Sequence, residues 1–398
     1  IDTLLADDTA VYQNLNYLWK NFCISATYEP GSVAKPFTVA AGLESGKMTG
    51  NEYYTCNGQL HVGEHDIKCH NYKKGGDGTL SVKESIEQSC NVALMLMGRQ
   101  MGKSTFLEYQ EKFNFGLKTN IDLYGESRTG SLVFNTTTMG DTELATSTFG
   151  QGYNATMIQM IAAFSSLING GYYYEPHVVK QITATDGSIV ENISPRVIKQ
   201  TVSATTSAKI VEYCNGVVEN GTGKTARPAG YAIGGKTGTA ETVPRDKINY
   251  VVSFMGYAPA DNPQIAIYVV VDRPNAVFQD DAKYATRIVR SILTEVLPYL
   301  NIYMTEELSE KEQQEIDALN ITVKSANSNE DEGSSSDEDL DYNEDGTINA
   351  HGGDVTSSTP VTPEEMESDN VDTAPLTGSL LNTETGNSVR EDSGNEPE

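Results

Sequence analysis

Residues 28–37 read Tyr28-Glu29-Pro30-Gly31-Ser32-Val33-Ala34-Lys35-Pro36-Phe37, and they determine where a well-defined helix must begin. Proline has no N–H, so Pro36 is tolerated in a helix only within the first turn, where that donor would be unpaired in any case. The helix is therefore predicted to begin near Ser32. This start places Ser32 at the helix N-terminus and Lys35 one turn later on the same face.

The pairing of Ser32 with Lys35 suits acyl transfer. The positive end of a helix stabilises a developing oxyanion and lowers the pKa of a nearby ammonium. A lysine that has lost its proton can take the proton of a serine hydroxyl and so activate it. Because S-x-x-K occurs by chance in many helices, the pair alone is weak evidence for catalysis.

A second polar segment, Ser89-Cys90-Asn91, follows a helix whose start is marked by Ser81-x-x-Glu84. A serine and a glutamate at that spacing form a capping box, in which each side chain satisfies an unpaired amide of the first turn. The apolar run Val92–Met97 comes next. The segment is therefore predicted to be a loop between helices that presents the Ser89 hydroxyl and the Asn91 amide together.

A third segment, Lys236-Thr237-Gly238-Thr239, lies just before a strand-like stretch at Tyr250. A lysine with two threonine hydroxyls on a strand edge can bind a substrate carboxylate. Gly238 has no side chain, so a substrate can approach the backbone closely there.

The same lysine also completes a phosphate-binding loop pattern, Gly230-x-x-x-x-Gly235-Lys236-Thr237. That loop needs a strand before it and a helix after it, so that helix N–H groups can surround the phosphate. The residues that follow, Gly-Thr-Ala-Glu-Thr-Val-Pro, do not start a helix. Nucleotide binding is therefore disfavoured.

The three segments occur in the order S-x-x-K, S-x-N and K-T-G, which is the signature of penicillin-binding proteins and class A β-lactamases. Over about residues 20–297 the chain resembles class B penicillin-binding proteins. The resemblance is carried by Tyr28–Leu43 (YEPGSVAKPFTVAAGL), Phe149-Gly150-Gln151-Gly152, Asn169-Gly170-Gly171, Glu175-Pro176-His177 and Gly234–Glu241.

The resemblance implies a D,D-transpeptidase of the septal or sporulation type, which needs no cofactor. Ser32 would attack the D-Ala-D-Ala bond of a peptidoglycan stem peptide, with Lys35 as general base. Ser89 would relay a proton to the leaving amine, and Asn91 would hold Lys35 and the substrate amide. Lys236 completes the implied catalytic set.

The resemblance also implies how substrate is held. Lys236, Thr237 and Thr239 would bind the terminal carboxylate, with Gly238 leaving room at the strand. The backbone N–H groups of Ser32 and Thr239 would form the oxyanion hole. β-Lactam antibiotics would acylate Ser32 as substrate mimics.

Apolar periodicity and the resemblance together predict an α/β (α+β) fold of the β-lactamase and transpeptidase type. Residues 157–165 read as a helix, 265–271 as a strand buried on both faces, and 285–296 as an amphipathic helix ending at Leu297-Pro298. We expect an antiparallel sheet flanked by helices, with a mainly helical subdomain. Two strands upstream of the nucleophile are expected to be missing, which would leave an unpaired sheet edge.

The charge of the chain divides it into two parts. Residues 301–398 carry 26 Asp and Glu against 3 Lys and Arg, which accounts for most of the net charge of -27. We therefore expect a transpeptidase domain over 1–300, truncated at its N-terminus, and an acidic, mostly disordered tail over 301–398. The body has no basic stripe, so nucleic acid is not an expected partner.

The expected location follows from the resemblance. No apolar run reaches the roughly 20 residues that span a membrane, and the chain begins with Ile1. We expect a domain at the extracytoplasmic face of the bacterial membrane, anchored by an N-terminal segment absent from this chain. That absent region would recruit other cell-wall synthesis proteins.

Cysteine and histidine residues cluster within 56–70 as Cys56, His61, His65, Cys69 and His70. A disulfide between Cys56 and Cys69 is favoured over unpaired thiols, and a metal site is the least favoured alternative. No metal is therefore assigned.

In the tail, residues 341–348 resemble the start of a calcium-binding loop. The twelfth position of such a loop needs a bidentate carboxylate, and here it is Gly352. A solvated acidic linker is the favoured interpretation, with weak calcium binding as the alternative.

Two other functions share the acylation residues. A serine β-lactamase needs a base poised over the acyl-enzyme, and the sequence offers no clear Glu-x-x-Leu-Asn for that role. A penicillin-sensing receptor domain would acylate without exchanging D-Ala-D-Ala peptides.

Overall fold

The computed structural model describes residues 8–245, 249–314 and 316–317 of the 398-residue chain. The chain divides after Ser309 into two compact units, and the candidate functional residues lie in the first. The predicted calcium-type loop at 341–352 and most of the predicted disordered tail lie outside the described residues. No helix in the described part of the chain is long and apolar enough to cross a membrane.

The described helices are α1 (Asp8–Trp19), α2 (Phe22–Ser25), α3 (Lys35–Glu44), α4 (Val82–Glu87), α5 (Asn91–Met101), α6 (Lys103–Lys112), α7 (Asp141–Ser147), α8 (Met157–Ile168), α9 (Ala204–Glu219) and α10 (Lys283–Tyr299). The strands are β1 (Tyr53–Cys56), β2 (Gln59–Val62), β3 (His65–Lys68), β4 (Gly78–Ser81), β5 (Tyr172–Tyr174), β6 (Gln181–Thr183), β7 (Ile189–Asn192), β8 (Val197–Gln200), β9 (Gly234–Glu241), β10 (Tyr250–Ala258) and β11 (Ile265–Asp272).

The largest sheet is antiparallel, with strand order β11-β10-β9. Helix α10 packs against β10 and β11. Helix α9 packs against β9. Smaller antiparallel pairs are formed by β1 with β4, β2 with β3, β5 with β8 and β6 with β7. The predicted mixed fold, with an antiparallel sheet flanked by helices, is confirmed.

Strand β11 corrects one expectation. Its side chains are half-buried or exposed, so the prediction of a strand buried on both faces is wrong. Among the described residues β11 pairs with β10 on one side only. Alternate residues from Ile265 to Val271 pack on the cluster around α10, whereas Ala266 on the other face is exposed. The apolar run therefore belongs to an edge strand.

Helix α10 forms where the apolar stripe predicts it. Ala285, Val289, Leu293 and Leu297 are each fully buried, one turn apart along the face that covers the sheet. Ile288 and Ile292 belong to the predicted stripe but remain about two-fifths exposed, at 43% and 39%. The helix continues through Pro298 to Tyr299 rather than ending before the proline.

The start of α3 agrees with the position of Pro36. A 3-10 turn spans Gly31–Ala34, and regular α-helix begins at Lys35 with Pro36 in its first turn. Residues Val33, Ala34, Val39 and Ala40 are almost completely buried, because α3 packs against α5, α6 and α9. The turn that contains Ser32 is thereby fixed to a helix in the centre of the core.

The capping box before α4 is present as predicted. Ser81 Oγ accepts a hydrogen bond from the Glu84 N–H at 3.2 Å, and the Glu84 carboxylate accepts one from the Ser81 N–H at 2.8 Å. Helix α4 ends at Glu87 and α5 begins at Asn91. The predicted loop containing Ser89 therefore lies between two helices.

Candidate active site

The turn that carries Ser32 lies directly against strand β9. Gly31 has a φ of +61° and donates its N–H to the Gly150 carbonyl at 2.9 Å. A Cβ at Gly31 would lie 2.7 Å from the Thr239 carbonyl oxygen. The absence of a side chain at Gly31 therefore allows the turn that contains Ser32 and the K-T-G strand to meet.

Replacing Gly31 with alanine is expected to lower the free energy of unfolding by about 2–4 kcal/mol, because a left-handed backbone and a close carbonyl contact both oppose a Cβ. Gly46 is the matched control, since its φ is +68° and a Cβ there would meet nothing within 4 Å. We expect Gly46→Ala to cost only about 1–2 kcal/mol. Urea unfolding of both variants measures the difference, and equal losses would contradict the close contact.

The ammonium of Lys35 is buried and fully hydrogen-bonded. Its Nζ donates to the Ser89 carbonyl at 2.5 Å, to Ser89 Oγ at 3.0 Å and to Asn91 Oδ1 at 2.8 Å. Burial lowers the pKa of Lys35 to about 8, because removal from water disfavours the charged form. Lys35 can therefore exchange a proton near neutral pH.

Ser89 links the two lysines of the site. Its Oγ accepts hydrogen bonds from Lys35 Nζ at 3.0 Å and from Lys236 Nζ at 2.9 Å. A serine hydroxyl has two acceptor lone pairs and one proton, so its own O–H stays available to donate. Ser89 has a φ of +58°, a conformation that non-glycine residues rarely adopt and that concentrates at functional sites.

Lys236 points from β9 into the same cluster. It is fully buried, and its Nζ also donates to the Thr237 carbonyl at 3.0 Å and to Thr237 Oγ1 at 3.3 Å. Burial, and then the charge of Lys35, lower the pKa of Lys236 well below its ordinary value. The two lysine side chains around one hydroxyl provide N–H donors suited to an anionic substrate.

Gly238 and Thr239 continue the strand past the turn that contains Ser32. A Cβ at Gly238 would collide with Ser253 Oγ and lie 3.0 Å from a methyl of Val33. Thr239 is half-buried, and its hydroxyl donates to the Asp280 carbonyl at 3.4 Å. The structure thus brings all eight residues predicted for catalysis and substrate binding into one region.

Thr222 is a neighbour of the site that the sequence analysis missed. Its hydroxyl lies 2.6 Å from that of Thr237, and its N–H donates to the Glu87 carbonyl. It sits in a turn after α9, and no spacing rule connects that turn to β9. Only the three-dimensional arrangement identifies it.

Removing the Thr222 hydroxyl with Thr222→Val is expected to slow acylation about 5- to 10-fold, which corresponds to about one hydrogen bond. The reason is that Thr237 loses the partner that orients its hydroxyl. Thr225 and Thr286 form an equivalent pair at 2.6 Å outside the cleft, so Thr225→Val is the control and should acylate normally. Stopped-flow binding of a fluorescent penicillin measures both rates, and equal rates would contradict the positioning role.

The predicted disulfide is not formed. All five cysteines are free, with Cys56 and Cys69 both buried as thiols. The predicted grouping with histidines is assembled only in part: His70 Nδ1 lies 3.5 Å from Cys69 Sγ, whereas the exposed His61 pairs with Asp66 at 2.8 Å and His65 is exposed. The sulfur atom of Cys69 also lies 3.9 Å from that of Cys90, because strands β1 to β4 fold residues 53–81 onto the start of α5.

Residues 4–294 match the sequence profile described as the penicillin binding protein transpeptidase domain. The chain belongs to this family. The predicted resemblance to class B penicillin-binding proteins is therefore confirmed, and the family accounts for the first compact unit up to its last helix.

The similar proteins are longer than this chain. Stage V sporulation protein D of Bacillus subtilis is 38% identical over 324 residues, which cover 79% of this chain and 49% of that protein. Penicillin-binding protein PbpB of Mycolicibacterium smegmatis is 30% identical over 266 residues, which cover 64% of this chain and 40% of that protein. The chain thus spans half or less of the length of these relatives.

Solved structures of the family have the same fold. Penicillin-binding protein 3 of Mycobacterium tuberculosis, in its apo form, superposes with a TM-score of 0.64 at 27% identity, covering 72% of this chain and 66% of that chain. The same protein has been solved in complexes with aztreonam and with ampicillin.

Proposed function

We propose that this chain carries the catalytic centre of a peptidoglycan D,D-transpeptidase that acts through a Ser32 acyl-enzyme. The observation that carries the proposal is the Ser89 hydroxyl, which hydrogen-bonds to both Lys35 and Lys236 beside the Ser32 turn. Membership of the transpeptidase family supports it. The identity to Stage V sporulation protein D favours a sporulation type.

Acylation begins when neutral Lys35 removes the proton of Ser32 and the serine oxygen attacks the carbonyl of the penultimate D-Ala. The developing oxyanion accepts hydrogen bonds from the backbone N–H groups of Ser32 and Thr239. Lys236, Thr237 and Thr239 bind the terminal carboxylate of the stem peptide. Lys236 donates hydrogen bonds to this anionic end of the substrate while Lys35 stays neutral as the base.

Collapse of the tetrahedral intermediate breaks the peptide bond between the two D-Ala residues. The leaving amine takes the proton of the Ser89 hydroxyl. Lys35 then passes to Ser89 the proton that it had removed from Ser32. The amine of a second stem peptide then attacks the acyl-enzyme and loses its proton along the same route. Ser32 recovers its proton, and the product is a new cross-link.

The acylation rate is expected to rise with pH. Lys35 is active as a base only when it is unprotonated, and its pKa is lowered to about 8, so about one tenth of the molecules are active at pH 7. Fluorescent penicillin binding should therefore accelerate nearly tenfold as the pH rises from about 7 to about 9. Circular dichroism at each pH controls for unfolding, and a flat or falling profile would contradict the base role.

Two competing functions give different results with labelled penicillin and a D-Ala-D-Ala peptide. A transpeptidase forms a stable adduct and exchanges the terminal D-Ala for a labelled D-amino acid. A serine β-lactamase turns the penicillin over rapidly, and a penicillin-sensing domain forms the adduct without exchange. Either of the last two results would overturn the proposal.

The proposed substrate also sets the proposed location. Peptidoglycan stem peptides are cross-linked outside the bacterial membrane, so we place this domain at the extracytoplasmic face. Other cell-wall synthesis proteins are the proposed protein partners.

A further inference from the structure

Four side chains converge next to the candidate active site from separate segments of the chain. Cys56 ends β1, Cys69 follows β3, Asp77 precedes β4, and Cys90 lies between α4 and α5. Their sulfur and carboxylate oxygen atoms all lie within 4.8 Å of one another. Within the described residues, no other set of three or more cysteine, histidine or acidic side chains gathers in this way.

The distances within the cluster fit ligands that share one metal ion. The sulfur atoms of Cys69 and Cys90 are 3.9 Å apart, whereas a disulfide bond is about 2.0 Å long. Two thiolates bound tetrahedrally to one zinc, each with a Zn–S bond of about 2.3 Å, would lie about 3.8 Å apart. The Asp77 carboxylate reaches the same space, since its Oδ2 lies 3.3 Å from Cys69 Sγ.

Neighbouring groups orient these side chains in the way that surrounding hydrogen bonds orient metal ligands. The backbone N–H of Asn91 points at Cys69 Sγ at 3.4 Å, and that of Ala93 points at Cys90 Sγ at 3.4 Å. Asn71 Nδ2 donates to Asp77 Oδ1 at 2.5 Å, which leaves Oδ2 facing the sulfur atoms. Amide donors aimed at sulfur stabilise thiolates rather than thiols.

If these buried groups are ionised, a cation must lie among them to offset their negative charge. Cys56, Cys69 and Cys90 are 1%, 3% and 0% exposed, and Asp77 is half-buried. A buried group of like charges is unfavourable unless it is paired or binds a metal. Three thiolates and one carboxylate in a closed tetrahedron favour zinc, a borderline-soft ion with no open coordination position left for catalysis.

We propose that Cys56, Cys69, Asp77 and Cys90 bind one structural zinc ion. The site goes beyond the proposed function, since it takes no part in the acyl transfer. Cys90 lies between Ser89 and Asn91 in the chain, and Cys69 accepts the Asn91 N–H. The bound ion therefore fixes the loop that presents both of those residues to Lys35.

The test is the metal content of the purified chain, prepared with a reductant and equimolar zinc and then freed of loose metal by gel filtration. Elemental analysis by mass spectrometry should find about one zinc per chain. Cys56→Ser and Asp77→Asn should lose most of it. Cys214→Ser is the matched control, because Cys214 is a buried thiol outside the cluster, and it should keep the full equivalent.

Cobalt gives a readout that does not depend on the folding of a variant. Cobalt added to the metal-free wild-type chain should produce thiolate-to-metal charge-transfer absorption, and zinc should abolish it. A wild-type chain without metal, a site filled by iron or copper, or a Cys69–Cys90 disulfide in the reduced preparation would overturn the proposal. Full zinc retention in Cys56→Ser and Asp77→Asn would overturn it as well.

Discussion

Ser32→Ala is expected to abolish both the penicillin adduct and the exchange of D-Ala-D-Ala peptides. Alanine lacks the oxygen atom that forms the ester, so no covalent intermediate can arise. The variant should still fold, because the 3-10 turn and α3 are held by Gly31, Pro36 and buried apolar side chains. Gel fluorescence with a labelled penicillin measures the adduct, and thermal melting confirms folding.

Variants of two other serines test whether Ser32 alone is the nucleophile. Ser45 caps the C-terminus of α3, with its hydroxyl donating to the Gly42 carbonyl at 3.2 Å, and Ser45→Ala should acylate at the wild-type rate. Ser89→Ala should acylate slowly but to full occupancy, since Ser89 transfers protons and does not form the ester. An adduct of normal stoichiometry in Ser32→Ala would show that another residue is the nucleophile.

Lys35→Ala is expected to slow acylation by about 10²- to 10⁴-fold, the usual contribution of a general base. Lys35→Arg should be equally slow, because a guanidinium keeps the charge but does not give up a proton in proteins. The rate constant for acylation by a fluorescent penicillin measures both effects. Recovery of the rate by arginine would show that Lys35 acts through its charge alone.

Lys199→Ala is the control for loss of a partly buried lysine. Burial also lowers the pKa of Lys199, and its Nζ donates to Asn114 Oδ1 at 3.0 Å and to the Glu111 carbonyl at 3.1 Å. These partners lie outside the cleft, so the acylation rate should be unchanged. A similar slowing in both variants would indicate a general loss of structure rather than a lost base.

The parts of the site that could be predicted from sequence are those set by local rules. Pro36 fixes the start of α3, and the spacing to Ser32 follows from it. The Ser81 and Glu84 capping box fixes the start of α4 and so the loop that contains Ser89. The convergence of Ser32 and Ser89 with Lys236 was predicted from the order of three motifs, which resembles that of a known family. No local pattern predicts it.

The parts that could not be predicted depend on contacts between distant segments. The pairing of Thr222 with Thr237 requires the turn after α9 to lie beside β9. Asp77 has no motif of its own, and it meets the cysteines only through the pairing of β1 with β4. The partial exposure of β11 reflects what covers each face of the strand, which an apolar run does not reveal.

The disulfide expectation failed for a related reason. The spacing of Cys56 and Cys69 fits a hairpin with one bond across it, and their sulfur atoms do lie within 4.8 Å of each other, but both residues remain free thiols. Their folding brings a third thiol, that of Cys90, within 3.9 Å of Cys69. The sequence spacing indicated only Cys56 and Cys69 as partners, whereas the tertiary fold brings Cys90 to the same place.

We propose that three distant segments form one cleft in which Ser32 is the acylated residue. Peptide mapping of the penicillin-treated chain by mass spectrometry tests it most directly. Trypsin does not cleave readily before Pro36, so the adduct should appear on the peptide spanning 21–47, and fragmentation should place it on Ser32. An adduct on the peptide spanning 84–99, which contains Ser89, or on any other residue would show that Ser32 is not the nucleophile.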